Sequence, residues 1–169
     1  AGGITQHIGA YQVNLADGGA ASVPSGDYKL LQFHFHTPSE EKIDGKSFPM
    51  VAHLVHKNEA GNLAVIGVLF KVGKENAALK DIFAKLPAAE GKEPLADKFD
   101  ATALLPASLA YFSFNGSLTT PPCSEGVSWH VLKTPVEMSQ KQISAFKKIF
   151  KNNARPVQPL NGRVVEESK

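Results

Sequence analysis

His34 and His36 lie two residues apart in a stretch, Tyr28 to Thr37, that alternates in polarity. Successive side chains of an extended strand point to opposite faces, so these two imidazoles leave the same face. A pair of this kind on a strand is often incidental. His53 adds a third imidazole in the strand that returns after a turn, where antiparallel pairing brings it beside the first two. Three neutral imidazoles occupy three positions of a tetrahedral zinc ion and leave the fourth open, the arrangement of a catalytic zinc. The same residues also fit a polar sheet face carrying three hydrogen-bonded histidines, and the spacing alone leaves both readings open.

The elements that must position these residues are mainly strands. Tyr11 to Leu15 reads as a first strand, followed by a Gly/Ala/Ser/Pro loop to Asp27. In Tyr28 to Thr37 the alternation predicts Leu31, Phe33 and Phe35 on one face and Gln32, His34 and His36 on the other. Ile43-Asp44-Gly45-Lys46 is a turn signal, and Phe48 to His56 is the returning strand. Leu63 to Val72 is a continuous apolar run, as expected of a strand covered on both faces. Leu79, Ile82, Phe83 and Leu86 follow helical spacing with Pro87 as a stop, and Ala88 to Ala101 reads as loop. Leu109 to Phe114 and Val127 to Leu132 are further strands. Ser139 with Gln142 forms a capping box ahead of the stripe Ile143, Phe146, Ile149 and Phe150. Strands outnumber helices, so the predicted class is mainly β with peripheral helices, in one domain over residues 1–169.

Bulk properties narrow the function classes. At 169 residues, with 43% hydrophobic and 20% charged residues, the chain has the size and composition of one soluble domain with a sizeable core. A formal charge of +2, with no basic run interleaved with aromatics, argues against nucleic acid. The longest apolar run, Leu63 to Phe70, is strand-sized and far below a membrane span. The single cysteine, Cys123, excludes an internal disulfide and a cysteine-rich zinc site. It is either a buried free thiol or half of a bridge to something outside this chain.

Four separate motifs occur in order: Gln32-Phe33-His34-Phe35-His36, Pro38-Ser39-Glu40, Ala52-His53-Leu54-Val55-His56 and Ser117-Leu118-Thr119-Thr120-Pro121-Pro122. Cys123 to Val127, Trp129 and Arg155-Pro156-Val157-Gln158-Pro159-Leu160 continue the pattern. Together they resemble the α-class carbonic anhydrases of bacterial type over nearly the whole chain. The resemblance implies a central twisted, mostly antiparallel sheet with peripheral helices, and zinc held by His34, His36 and His53. It implies reversible hydration of carbon dioxide to bicarbonate and a proton, the zinc making its bound water acidic, an effect of which these enzymes are the standard example. Glu40 and Thr119 are implied as a catalytic pair. A hydroxyl that donates its one proton to Glu40 must accept on its other side, which fixes the lone pair that faces the substrate. Thr120 is implied as a bicarbonate contact, and Val55, Val65, Leu118, Val127 and Trp129 as an apolar pocket for carbon dioxide. Gln32 and the carbonyl of Asn153 are implied as the groups that hold His34 and His36.

The sequence departs from the family in several places. Relatives carry Glu at position 51, His at 41 and Tyr at 114, a hydrogen-bonded group behind the third zinc histidine, whereas this chain has Val51, Glu41 and Phe114. Two readings follow for Glu41: its carboxylate replaces the one lost at Val51 and accepts from His53, or it lies in solvent. The family's proton-shuttle histidine falls at Gly9, with His7 nearby as a substitute or as a solvated side chain. Relatives also carry a further N-terminal segment that includes the usual bridge partner of Cys123. The expectation is that such a segment is separate or outside this chain, and that its absence would favour a homodimer or a domain swap. The other implied properties are inhibition by sulfonamides and anions, a periplasmic or secreted location, and no nucleic-acid or membrane partner. The alternative is a non-catalytic carbonic-anhydrase-like binding module, although the three histidines such relatives typically lose are all present.

Overall fold

A computed structural model of the protein describes residues 3–7, 10–15, 19–87, 91–94 and 99–169, with side chains described for 11–15, 19–87 and 99–169. In chain order the strands are β1 (Gly3–His7), β2 (Ala10–Asn14), β3 (Ala20–Val23), β4 (Gly26–His36), β5 (Lys42–Ile43), β6 (Lys46–Ser47), β7 (Met50–Lys57), β8 (Leu63–Val72), β9 (Gly91–Pro94), β10 (Tyr111–Ser117), β11 (Glu125–Leu132), β12 (Val136–Met138) and β13 (Glu166–Glu167). The helices are α1 (Lys80–Ala84) and α2 (Gln140–Lys147), with 3-10 turns at Ala77–Leu79 and Ala101–Leu104. One sheet runs in the order β13-β10-β11-β8-β7-β4-β2-β1-β9, with β12 beside β8 and β3 beside β4. Its pairings are antiparallel except β8 with β11 and with β12, so the expected mainly β architecture is the one observed.

The period of two divides this sheet into two chemistries. Phe33, Phe35, Met50, Ala52, Leu54, Val68 and Phe70 face a core closed by Ile82 of α1 and by Ile143 and Phe146 of α2. The residues between them, His34, His36, Val51, His53, Val55 and Val65, face the other side. Helix α2 starts where Ser139 and Gln142 complete the capping box, and its buried stripe seats against Tyr11 and Phe35. Asn76 caps the turn ahead of α1 by accepting from the Leu79 amide.

Four expectations change. Leu31 is 43% exposed and Leu30 is buried, because a bulge between Leu30 and Gln32 inserts one residue and inverts the alternation upstream of it. The bulge leaves Gln32, His34 and His36 on the predicted face. Residues 20–23, read as loop, form β3 as the hairpin partner of β4. The segment read as loop over 88–101 includes β9, which pairs with β1. The helix read over Leu79 to Leu86 is a 3-10 turn followed by five α-helical residues, with Leu79 and Ile82 buried as the spacing required.

Two further histidines sit on the core side. His56 and His130 are 3% and 4% exposed; His56 Nδ1 donates to the Leu54 carbonyl at 2.8 Å, and His130 Nδ1 has no hydrogen-bond partner among the described residues. Burial holds both below the ordinary imidazole range, and for His56 the nearby His130 adds to the effect. The unfolded chain therefore binds more protons than the folded one just below pH 6.5, so the stability tied to these groups is present above that pH and lost as it falls. His130→Leu is expected to flatten the fall in melting temperature between pH 7 and pH 5.5. An unchanged slope would assign the acid sensitivity elsewhere.

Candidate metal centre

The register of β4 and β7 places His34 directly opposite His53, with His36 opposite Val51. The three rings stand 4.7 to 5.4 Å apart, and the ligand-capable nitrogens all lie within 4.8 Å of one another. Hydrogen bonds select which nitrogen each ring offers. His34 Nδ1 meets Gln32 Oε1 at 2.9 Å, and His36 Nδ1 donates to the Asn153 carbonyl at 2.9 Å. His53 is reversed: its Nε2 donates to Glu41 Oε1 at 2.6 Å. A neutral imidazole has one N–H, so the free acceptors are Nε2 of His34 and His36 and Nδ1 of His53. Among the described residues His36 Nε2 is buried without a hydrogen-bond partner, and, beside the other two free ring nitrogens, it is open to an ion.

The electrostatics fit a cation. Burial first, then the neighbouring imidazoles, hold His34 well below its ordinary range, and burial with His36 lowers His53 to about 3. The His34 and His53 rings are thus neutral and able to coordinate at ordinary pH. Two carboxylates stand close by. Glu40 Oε1 accepts from the Arg155 amide at 2.7 Å and lies 3.4 Å from His36 Nδ1, while its Oε2 lies 3.8 Å from His53 Nδ1. Burial pushes Glu41 up to about 7. Both histidine tautomers and carboxylate placement suit a three-nitrogen zinc site, and the donor set fits that ion.

Local chain chemistry holds these groups still. Glu40 and Glu41 follow the Thr37–Pro38 corner, in a loop pinned when Ser39 Oγ donates to the Glu41 carbonyl and accepts from the Phe48 amide. The β5–β6 hairpin closes that loop, its tight turn using positive φ at Asp44 (51°) and Gly45 (73°). Asn153 works as a clamp: its carbonyl takes His36, its Oδ1 takes the Thr37 amide at 2.7 Å, and its Nδ2 donates to the Phe35 carbonyl at 2.9 Å.

Beside the histidines the predicted apolar wall assembles. Val55, Val65, Val127 and Trp129 form one buried cluster with Leu118 and Phe114 against it, and the Trp129 ring lies 4.8 Å from His53. Trp129 is fixed by an Nε1–H bond to the Ser117 carbonyl and by stacking on Phe114. Gly116 makes that closeness feasible, since a Cβ there would come within 2.8 Å of the indole.

One predicted contact is not made. Thr119 and Glu40 line the same cavity of about 850 Å³, but no hydrogen bond joins them; Glu40 Oε2 is buried and unpaired, with the carboxylate drawn toward the imidazoles and the Arg155 amide. Thr120 is exposed on the same turn, where its carbonyl accepts from the Cys123 amide. Cys123 is free and half-buried. His7 ends β1, but its side chain and Gly9 lie outside the described residues. Sequence reasoning missed the donor to Glu40, the Arg155 amide; a backbone group carries no side-chain signal.

The chain matches the eukaryotic-type carbonic anhydrase family over residues 5–169. It is 50% identical to a carbonic anhydrase of Neisseria gonorrhoeae over 158 residues, covering 92% of this chain and 63% of that protein. It is 45% identical to a carbonic anhydrase of Nostoc over 93% of this chain and 60% of that one. The α-carbonic anhydrase of Thermovibrio ammonificans, solved with sulfanilamide, superposes with a TM-score of 0.93 at 45% identity, covering 96% of this chain and 73% of that one. The chain spans under two thirds of the length of the curated relatives it matches first. With the three-histidine geometry, the sheet and the matched residues in agreement, the chain belongs to the eukaryotic-type, or α-class, carbonic anhydrase family.

Proposed function

We propose that the protein catalyses the zinc-dependent, reversible hydration of carbon dioxide to bicarbonate and a proton. The observation that carries this reading is the convergence of three imidazole nitrogens beside an apolar wall, with Glu40 Oε2 buried nearby and, among the described residues, without a hydrogen-bond partner. Zinc bound by His34, His36 and His53 would supply an acidic water that gives hydroxide near neutral pH. The rest is the work of the chain. Val55, Val65, Leu118, Val127 and Trp129 offer carbon dioxide an apolar seat and keep bulk water from it. Glu40, anchored by the Arg155 amide, presents Oε2 as the acceptor for the Thr119 O–H, and the Thr119 oxygen is then left to accept a hydrogen bond from the reacting water and orient it. Thr120 contacts the bicarbonate product at the exposed end of that turn.

Zinc content and hydration of carbon dioxide, measured on one purified sample, test the proposal. Stoichiometric zinc with fast hydration supports it; zinc without hydration would make the chain a binding module. Sulfonamide binding belongs to the same proposal, supported by the sulfanilamide held by the Thermovibrio relative. Anion inhibition, a periplasmic or secreted setting and a homodimer are proposed alongside, tested by inhibition assays, cell fractionation and sedimentation.

Proton export is expected to limit turnover, because Gly9 offers no titratable group where relatives keep a shuttle histidine. Added imidazole buffer should raise the rate, and Gly9→His should raise it in weak buffer by on the order of 10²-fold, the low end for a positioned acid–base group. Buffer-insensitive rates would show that His7 or another route already serves.

A further inference from the structure

The three histidines are not held alike. His34 and His36 meet neutral acceptors, the Gln32 amide and the Asn153 carbonyl, whereas His53 meets a carboxylate, Glu41, at 2.6 Å. That distance is at the short end even for charge-assisted bonds. The Glu41 side chain is 12% exposed, its Oε2 is buried without a partner, and among the described residues no lysine or arginine pairs with it. Glu41 lines the cavity together with the apolar Ile43, Phe114 and Val131, and its Oε1 lies over Gly67, the residue opposite His53 in β8. A buried acid without a cation costs stability, so its retention calls for a purpose other than holding the fold.

We propose that Glu41 is the positioning residue of the metal centre, a loop carboxylate that fixes the tautomer of His53, aims Nδ1 at the ion and raises the ligand's basicity. A carboxylate accepting the far N–H of a ligating imidazole has this effect. Val51 shows why the loop must supply it. Val51 is two residues before His53 on the same face of β7, fully buried, and has no polar atom to offer. The inference rests on reading the three histidines as a zinc site, and not on hydration itself.

Zinc dissociation constants from chelator competition, beside melting of the metal-free protein, test it. Glu41→Gln is expected to weaken zinc about 10- to 100-fold while leaving the metal-free protein as stable or more so. Those opposite responses separate positioning from a structural role, in which stability would fall and zinc affinity stay put; that outcome overturns the proposal. Val51→Glu alone is expected not to tighten zinc, because two carboxylates would crowd one imidazole; tighter binding overturns it. Should Glu41→Gln fail to fold, Glu41→Ala with Val51→Glu decides, since a carboxylate from the same face of β7 should restore near-native zinc affinity. Weak binding by a folded double variant counts against the proposal. If the unaltered protein binds zinc tightly but does not hydrate carbon dioxide, the proposed function fails and the role of Glu41 stands.

Discussion

Replacing His36 by alanine is expected to leave the purified protein without stoichiometric zinc and to remove hydration with it. His36 Nε2 is a buried ring nitrogen of the three-histidine cluster with no hydrogen-bond partner among the described residues, and its Nδ1 is already committed to the Asn153 carbonyl. Losing a group that merely orients a ligand costs about 10- to 100-fold in affinity, so deleting a ligand should exceed that range. The fold should survive, because the ring faces away from the main aromatic core, which Phe33 and Phe35 fill from the opposite side of β4. Metal analysis after dialysis against a chelator, with circular dichroism, checks both halves. Retained stoichiometric zinc would mean that the metal sits elsewhere.

Thr119→Ala should lower hydration by roughly 10² or more, the usual scale for losing an orienting hydrogen bond at a reacting centre. Zinc content should hardly change. Glu40 Oε1 is occupied by the Arg155 amide, which leaves Oε2 as a buried acceptor without a donor among the described residues, and Thr119 lines the same cavity. The gap between the two residues makes this a sharper test than a preformed bond would. If Thr119 orients the reacting water only when the site is loaded, Thr119→Ser should recover most of the rate by supplying the same hydroxyl. Unaltered kinetics in Thr119→Ala would reduce the residue to a turn former.

The sequence made the ligand strands legible because they obey the simplest rule, alternation, and because Gln32, His34 and His36 lie downstream of the bulge. Leu31 was misplaced because a bulge depends on what the partner strand offers, here His56 and Val55 opposite Leu30 and Gln32, and leaves no local signature. Residues 20–23 and 91–94 pair as strands without a strand-like pattern, since their partners β4 and β1 impose extension on them. Glu41 was legible only as one of two alternatives. What decides between them is the path of the loop from Thr37 to Pro49, fixed by Ser39 and the β5–β6 hairpin rather than by the residue itself.

The clamp at Asn153 and Arg155 has a consequence for biosynthesis. The groups that steady His36 and Glu40 lie 117 and 115 positions further along the chain. Ring closures of that length come late in folding, after local hairpins such as β3–β4. A nascent chain halted before Asn153 would already carry all three histidines, yet lack the carbonyl that fixes one ring and the amide that anchors the carboxylate. Metal capture should therefore mark the end of folding rather than seed it.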